Sequence, residues 1–319
     1  MYHYSIFGAC LRSEIDFPEL QRVSACQPAW TLRVSLAAPP IRELTLAGSR
    51  QIRSDVSVAL YRVDDGFRLT FDDTGTFDVA AGGRVITWYR NPTASSALAR
   101  LDILERVMPV ALHAGGVFCL HGSAVSLPGG TIAFAAPDRH GKSTLATALT
   151  TAGAQLVSDD TIPVDLGPPT LAWPGVHCVR VWEDSAQPLS GDHAGDGSAT
   201  ARKHTVADLP VDRCQNERSP LAAIYLLAPV LSLEGGAAVR RRRLNAIRSA
   251  VALVGQSKVG DIAGKEEAVR LFGQATALSG RVPVYTLEVV RSVEQLPEAV
   301  SQLFAWHERS ARGAASRPA

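Results

Sequence analysis

The N-terminal part of the chain alternates apolar and polar residues with a period of two. The alternation is clear in the segments WTLRVSLA, SVALYRV, FRLTFDD and RVITWYR, and turn-forming residues stand between them, at Asp64-Asp65-Gly66, Asp73-Thr74-Gly75 and Gly82-Gly83. Alternation is typical of strands that bury one face, and Gly-containing clusters are typical of the turns between strands. The pattern predicts a β-rich, antiparallel N-terminal domain over residues 1–92.

Helical spacing replaces the alternation in residues 93–116. Apolar residues recur every three or four positions from Ala94 to Ala114, Pro109 is placed to kink the helix, and Gly115-Gly116 ends it. The segment is therefore predicted to be a helix that connects two domains.

The rest of the chain combines apolar strands with amphipathic helices. Strands are predicted at 117–127, 131–136, 154–157, 222–227 and 284–289, and helices at 142–152, 243–255, 266–278 and 293–306. Helices that follow strands in this way indicate an α/β (α+β) fold. We expect this domain to cover residues 117–307 and a flexible tail to cover residues 308–319.

The composition is that of an ordinary folded protein, with 319 residues, 46% hydrophobic and 20% charged. This length favours two domains, since single cores stop growing near about 250–300 residues. The 32 basic side chains nearly balance the 31 acidic ones, which argues against a nucleic-acid partner. The longest apolar run, near Leu221–Leu233, contains Pro229 and is too short to span a bilayer, and no signal-peptide pattern is present. We expect a cytoplasmic protein with no membrane partner.

The five cysteines are scattered along the chain and no two form a Cys-x-x-Cys pair. They are Cys10, Cys26, Cys119, Cys178 and Cys214. This spacing favours neither a zinc site nor a disulfide framework. We expect free thiols, as in a reducing cytosol.

The strongest chemical signal is the sequence Ala-Pro-Asp-Arg-His-Gly-Lys-Ser-Thr at residues 136–144. It matches the phosphate-loop pattern G-x-x-x-x-G-K-[ST], except that Ala136 replaces the first Gly, and it lies between a predicted strand and a predicted helix. Such a loop directs backbone N–H groups and a helix N-terminus at phosphate oxygens. Lys142 would reach the β- and γ-phosphates and Ser143 would hold Mg²⁺. The alternative is a chance turn at a strand–helix junction. The candidate nucleotide-binding residues are Pro137, Asp138, Arg139, His140, Gly141, Lys142, Ser143 and Thr144.

A pair of aspartates, Asp159 and Asp160, ends the strand that follows the phosphate-loop helix. A right-handed crossover would return that strand to the edge where the loop lies, so both carboxylates should lie beside the loop. Two carboxylates there can divide the chemistry, because one can ligate Mg²⁺ and the other can accept a proton from an attacking hydroxyl. The alternative is an acidic turn without chemical function.

A third candidate is His121, on the strand before the loop. The turn Pro128-Gly129-Gly130 predicts a hairpin in which Leu127 lies opposite Thr131 and His121 opposite Pro137. The imidazole would then lie at the mouth of the phosphate loop, where it could contact a phosphate or the proton in transit. The alternative is a histidine with a structural role.

The spacing excludes two large classes of nucleotide-binding protein. Lys142 and Asp159 are only 17 residues apart, and Leu278-Ser279-Gly280 lacks the second Gly and the Gln of the transporter signature, so a transport ATPase is not expected. The guanine-reading pattern Asn/Thr-Lys-x-Asp is also missing, so a GTPase is not expected.

Three segments, LHGSAV, APDRHGKSTLATAL and AGAQLVSDDTIPV, together resemble the HPr kinase/phosphorylase superfamily. That family carries His-Gly before the phosphate loop and Asp-Asp after it. The similarity is greatest to the HPr-kinase-like proteins of lasso-peptide biosynthesis, which share a β-rich N-terminal domain and segments similar to YSIFGACLRSEIDFPEL, VRVWEDSA, PLAAIYLLAP and RVPVYTLE. The resemblance covers nearly the whole chain and implies a P-loop domain like that of HPr kinase and PEP carboxykinase.

The resemblance also implies roles for individual residues. Lys142, Ser143 and Thr144 would bind the phosphates of ATP and Mg²⁺. Asp159 would be the catalytic base, Asp160 would lie on the metal or orient the substrate, and His121 would assist at the phosphates. A basic residue occurs in the related proteins where Lys203 stands, one of only four lysines here. Lys203 would either reach phosphate charge or be a solvated loop lysine. Asp184 is a weaker candidate for the metal shell.

Departures from the family pattern limit what the resemblance implies. The segment for the reverse, phosphate-releasing reaction is not visible, so phosphorylase activity is not expected. Ala136 and Arg139 replace residues that are usually Gly or small, and Arg139 would either add charge near the phosphates or crowd them.

A basic run, Arg240–Arg243 with Arg248, is predicted at the start of a helix. It is either a solvated surface or a docking site for an acidic or phosphorylated peptide.

The function expected from these features is that of an ATP- and Mg²⁺-dependent kinase for a serine hydroxyl of a peptide. The expected partner is a lasso-peptide precursor, and the chain is a candidate homo-oligomer. The alternatives are a kinase for another acceptor, such as an HPr-like protein or a small metabolite, and a non-catalytic nucleotide-binding scaffold for the precursor peptide.

Overall fold

The computed structural model describes residues 1–53, 56–64, 66–176, 178–182, 203–208, 213–260 and 264–315; of residues 53, 178–182, 203–208 and 309–315 it describes the backbone alone. The fold is α/β (α+β), with mixed sheets and helices. The chain forms two compact units. The first contains Met1–Leu120, Pro163–Asp165 and Ala250–Ala277, and the second contains His121–Ile162, Leu166–Ser249 and Leu278–Ala319.

An eight-stranded sheet dominates the first unit, with strand order β1-β2-β3-β8-β7-β6-β5-β4. The strands are β1 Tyr2–Ile6, β2 Ala9–Ser13, β3 Trp30–Ser35, β4 Thr45–Arg53, β5 Val56–Val63, β6 Gly66–Phe71, β7 Gly75–Val79 and β8 Val85–Arg90. Strands β5 to β8 form antiparallel hairpins at the turns that the sequence predicted. Strand β4, which was not predicted, pairs antiparallel with β5. The alternating apolar residues of β5 to β8 form a core that includes Phe71, Phe77 and Trp88, each nearly inaccessible to solvent.

The prediction of a purely antiparallel sheet was wrong at one place. Strand β3 pairs in parallel with both β2 and β8. Residues 14–29 carry the chain from the end of β2 back to the start of β3, so the two strands run in the same direction. Hydrophobic alternation gives the buried face of a strand but not its direction relative to its neighbours.

The segment predicted as a connecting helix is helical in three pieces. Helix α1, Ser96–Asp102, passes through a π-helical stretch, Ile103–Val107, into helix α2, Met108–Ala114. Pro109 lies in the first turn of α2, where a missing N–H is tolerated. The π-helical turn therefore accommodates the proline without ending the helix.

A seven-stranded sheet has the order β10-β9-β11-β12-β15-β17-β16, with a further pairing of β10 and β15. Its strands are β9 Phe118–Leu127, β10 Gly130–Ala135, β11 Gln155–Asp165, β12 Leu171–Ala172, β15 Ser219–Val230, β16 Val239–Arg243 and β17 Val284–Val290; β13 Cys178–Trp182 and β14 Lys203–Asp208 form a separate pair. The remaining helices are α3 Lys142–Thr151, α4 Ala246–Gly255, α5 Lys265–Arg281 and α6 Leu296–Ala315. In the second unit, Phe134, Leu145, Tyr225 and Leu303 belong to one buried core.

Three of the differences from the predicted bounds affect residues that the sequence singled out or the expected tail. Strand β11 continues to Asp165, so Asp159 and Asp160 lie inside the strand and not in a turn after it. The Arg240–Arg243 run is strand β16, and the helix expected to include it begins only at Ala246. Helix α6 runs to Ala315, into the segment expected to be a flexible tail.

The prediction of free thiols was wrong for two cysteines. Cys10 and Cys26 form a disulfide in the first unit, and Cys119 and Cys214 are buried free thiols. The separation of 16 positions between the bonded cysteines gives no sequence signal, because the fold alone brings them together.

None of the described helices is both long and apolar enough to cross a membrane.

Candidate functional site

The phosphate-loop segment connects strand β10 to helix α3 as the sequence predicted. Gly141 occupies the N-cap position of α3 with φ 87°, a left-handed conformation that suits glycine. No side chain of the described residues caps this helix. The N–H groups of its first turn, which begins with Lys142, Ser143 and Thr144, therefore have the orientation that binds phosphate at helix N-termini.

Lys142 is a buried lysine that lies against the loop itself. Its Nζ donates hydrogen bonds to Ala136 O at 2.8 Å and to Pro137 O at 3.0 Å, and it lies 3.9 Å from Asp138 Oδ1. Its side chain is 8% exposed. The loop thus holds one positive charge at its centre, where an anionic ligand would meet it.

The two unusual loop residues have different backbone conformations. Ala136 is buried, and its φ is not positive, so the position does not require the first Gly of the motif. Arg139 has φ 63°, which is a left-handed conformation that costs a residue with a Cβ about 1–2 kcal/mol. The departure from Gly therefore has a conformational cost at Arg139 and none at Ala136.

Asp159 lies beside the loop, in contact with two serines. Its Oδ1 accepts hydrogen bonds from Ser143 Oγ at 3.0 Å and from Ser123 Oγ at 2.5 Å. Ser123 is fully buried and Asp159 is 8% exposed. A carboxylate and a hydroxyl are thus held together at the start of helix α3, and both are hard oxygen donors of the kind that Mg²⁺ prefers.

Asp160 and the loop residue Asp138 are linked through His121. The imidazole Nε2 lies 3.1 Å from Asp138 Oδ1, and Nδ1 lies 3.2 Å from Asp160 O and 3.5 Å from Asp160 Oδ1. Asp160 has φ 72°, a left-handed conformation that Asp tolerates better than most residues and that interrupts the strand locally. Backbone strain of this kind is frequent at functional sites.

The hairpin that brings His121 to the loop differs from the predicted one by one residue. Leu127 pairs with Gly130 and Gly122 with Ala135, because the turn uses only Pro128 and Gly129. The predicted pairing of His121 with Pro137 was therefore wrong. The side chain nevertheless reaches the loop, through Asp138.

Ser123 is a site residue that the sequence analysis missed. It follows His121 by two positions on β9, and residues two apart on a strand face the same side. A period-two pattern starting from His121 could have identified Ser123. Gly122 lies between His121 and Ser123, and a side chain at this position would collide with the backbone of Phe134, which explains why the residue is glycine.

The remaining predicted residues are placed less completely. His140 lies in the loop with Nδ1 2.9 Å from Asp138 O, and Thr144 lies in the first turn of α3. Lys203 is the first residue of β14, where it pairs with Trp182, and its side chain lies outside what the structure describes. Asp184 also lies outside the described residues.

Within the described residues, no group of three or more His, Cys, Asp or Glu side chains could hold a metal ion. Mg²⁺ in phosphate-transfer sites is usually held by one or two carboxylates together with substrate phosphates and water. Asp159 and Ser143 fit this requirement, because they supply the protein oxygens beside a loop that suits phosphate.

No protein-family model matches the chain, and no curated protein matches it. Among solved structures it is similar to the HPr(Ser) kinase/phosphatase from Coxiella burnetii, with 11% sequence identity and a TM-score of 0.31. The match covers 61% of this chain and 93% of that chain. A similarity of this size establishes neither a family nor an activity.

Proposed function

We propose that the protein is an ATP- and Mg²⁺-dependent kinase that phosphorylates a serine hydroxyl of a peptide. The observation that carries the proposal is the 3.0 Å contact between Ser143 Oγ and Asp159 Oδ1 at the N-terminus of α3. This contact places an acidic oxygen beside the hydroxyl that ligates Mg²⁺ in phosphate loops of this type. The loop amides and Lys142 would hold the phosphates.

The reaction transfers one phosphoryl group. The bond between the γ-phosphorus and the oxygen that bridges it to ADP breaks, a bond from that phosphorus to the serine oxygen forms, and the hydroxyl proton goes to a carboxylate. Asp159 is the proposed base, as the family resemblance implies. His121 contacts both Asp160 and the loop residue Asp138, and these three residues would orient the acceptor or the phosphates.

A second role for Asp159 is supported by its own contact with Ser143, because a residue beside the metal-binding hydroxyl is well placed to ligate Mg²⁺. Asp159→Asn separates the two roles. If Asp159 is the base, the variant binds ATP with the same Mg²⁺ dependence but transfers no phosphate. If it is a metal ligand, Mg²⁺ no longer tightens nucleotide binding.

The proposed acceptor is a precursor peptide of the lasso type, on the strength of the sequence resemblance alone. Incubation with ATP, Mg²⁺ and the candidate peptide, followed by intact-mass measurement, tests the proposal. A mass gain of one or more phosphoryl groups supports the kinase. Transfer to an HPr-like protein or a small metabolite alone would identify a kinase with another acceptor. Nucleotide binding with unchanged acceptor mass would identify a scaffold.

A further inference from the structure

The basic segment Arg240–Arg243 forms the outer strand of the seven-stranded sheet. Strand β16 lies at one end of the strand order, and among the described strands only β17 is hydrogen-bonded to it. The opposite side of β16 is therefore a sheet edge. Unpaired edges of this kind can accept an additional strand from another chain.

The register shows which backbone groups point away from the sheet. Leu244 N donates to Val284 O, and Val290 N donates to Ala238 O. Leu244 with Val284, and Ala238 with Val290, are therefore hydrogen-bonded pairs of the ladder. Because such pairs alternate along an antiparallel ladder, Arg240 and Arg242 also bond to β17. The N–H and C=O groups of Val239, Arg241 and Arg243 must then point outward.

The side chains give this edge a positive charge on both faces of the sheet. Arg241 packs on one face, with its guanidinium over the rings of Tyr285 and Trp306 at 5.1 and 4.3 Å, and it donates to Tyr225 Oη at 3.0 Å. Arg243 belongs to the same face by alternation. Arg240 and Arg242 belong to the other face, and both are exposed.

Two carboxylates, Glu288 and more weakly Glu234, partly balance these charges. Glu288 of β17 lies opposite Arg240 and accepts a 2.5 Å hydrogen bond from it, and Arg240 and, to a smaller extent, Arg242 lower the pKa of Glu288. Four arginines thus face a single acidic residue on the two paired strands. The edge retains a positive charge that an acidic partner would complement.

We propose that the outer edge of β16 binds an extended acidic peptide as an added β-strand. Main-chain hydrogen bonds to Arg241 and Arg243 would hold the peptide. Successive side chains of the peptide would point to opposite faces of the sheet, so acidic residues at neighbouring positions would pair with the arginines on both faces. A second copy of the same edge is a poor occupant, because like charges opposite each other destabilise a strand pair. The proposal does not depend on phosphoryl transfer.

The test measures binding of a fluorescent eight-residue peptide by anisotropy, without nucleotide. In this peptide pairs of adjacent Glu residues alternate with pairs of Thr, so each face of the added strand carries Glu. The same peptide with Gln in place of Glu is the charge control. The double variant Arg242→Gln, Arg243→Gln should bind the acidic peptide about tenfold more weakly, since each exposed ion pair contributes up to about 1 kcal/mol. Arg33→Gln, which changes an exposed arginine on β3 outside the basic run, should change the affinity less than about twofold.

A second pair of variants distinguishes strand addition from simple charge attraction. Arg243→Gln and Arg243→Pro both remove the charge, but only proline removes the outward N–H, and proline is tolerated on edge strands. The proline variant should bind about fivefold more weakly than the glutamine variant, as expected for one lost hydrogen bond of about 1 kcal/mol. Circular dichroism checks that both remain folded.

Three results would overturn the proposal: equal affinity for the Glu and Gln peptides, equal affinity of the two Arg243 variants, or no binding of the acidic peptide at low salt. A dimer in sedimentation that Arg243→Pro abolishes would instead assign the edge to a second copy of the chain.

Discussion

The Ser123 hydroxyl donates a 2.5 Å hydrogen bond to Asp159 Oδ1, the same oxygen that accepts from Ser143. Ser123 lies on β9 and Ser143 lies in the first turn of helix α3, so one carboxylate oxygen joins strand β9 to helix α3. Both the position and the orientation of Asp159 depend on this pair of contacts.

Ser123→Ala should therefore lower stability and phosphoryl transfer together. The variant loses a hydrogen bond to a buried charged group, which costs about 1.5–3 kcal/mol of unfolding free energy in urea titrations. In the proposed kinase, kcat should fall more than KM for ATP rises, because Ser123 acts on the position of Asp159 and not on the nucleotide.

The matched control is Ser126→Ala on the same strand. Ser126 is half-buried and, among the described residues, its hydroxyl forms no hydrogen bond, so the change should cost less than about 0.5 kcal/mol. Equal stability losses in the two variants would contradict the role assigned to Ser123.

The left-handed conformation of Arg139 predicts an unusual preference for glycine. Arg139→Gly and Arg139→Ala both remove the guanidinium and its contacts. The difference in stability between the two variants therefore measures the cost of the backbone conformation alone. The Gly variant should be more stable by about 1 kcal/mol, because a residue with a Cβ is strained at φ 63°. Thermal unfolding of the two variants measures the difference.

His140, the next residue, gives the control for Arg139. The φ of His140 is not positive, so Ala fits this position without strain. His140→Ala should be more stable than His140→Gly, because glycine increases the conformational entropy of the unfolded chain. If the Ala variant were the more stable one at Arg139 as well as at His140, the Gly preference at Arg139 would be refuted.

The sequence was sufficient to predict that the phosphate-loop segment and the aspartate pair lie side by side. The phosphate-loop pattern at 136–144 and the aspartates at 159–160 were recognised from residue types and spacing, and the structure places Ser143 and Asp159 in contact. Motifs of this kind are local, so they can be identified without knowing how the strands pair.

Features that depend on pairing were harder to predict. The hairpin between β9 and β10 has a register one residue from the predicted one, because the number of turn residues was overestimated. Strand β16 has no apolar alternation, since both faces of an exposed edge strand can carry arginine, and it was assigned to a helix. The Cys10–Cys26 bond depends on tertiary proximity, which spacing alone does not reveal.

The disulfide predicts a stability difference that depends on redox conditions. Without reductant, Cys26→Ser should lower the unfolding free energy by about 3 kcal/mol, the effect expected for closing a loop of about 15 residues in the unfolded chain. With dithiothreitol the variant and the unmodified protein should have similar stability. Urea titrations under both conditions measure the effect.

Cys214→Ser is the matched control, because Cys214 is a buried free thiol. Its stability relative to the unmodified protein should be the same with and without reductant. Alkylation of the denatured, non-reduced protein gives an independent check: if Cys10 and Cys26 both take up the reagent, the disulfide is absent.

Two buried histidines predict how stability depends on pH. Burial, with a smaller effect of Arg270 and Arg62, lowers the pKa of His113 from 6.5 to about 3. Burial, with a smaller effect of Arg241, lowers the pKa of His307 from 6.5 to about 4. Both nitrogens of His113 lack a hydrogen-bond partner among the described residues, so no contact compensates for a charge on its ring.

Below pH 6.5 the unfolded chain binds a proton at each of these positions, whereas the folded chain binds it only near pH 3 or 4. The contribution of the two neutral histidines to the free energy of unfolding is therefore fully present above about pH 6.5. It decreases as the solution becomes more acidic, by up to about 1.4 kcal/mol per pH unit for each histidine. His113→Leu removes one titrating group and fits the surrounding apolar residues. Urea titrations between pH 4.5 and 6.5 should give a plot of unfolding free energy against pH that is shallower for the variant by about that amount. Parallel plots for the two proteins would show that His113 is protonated equally in the folded and unfolded states. That result would contradict the lowered pKa of His113 in the folded protein.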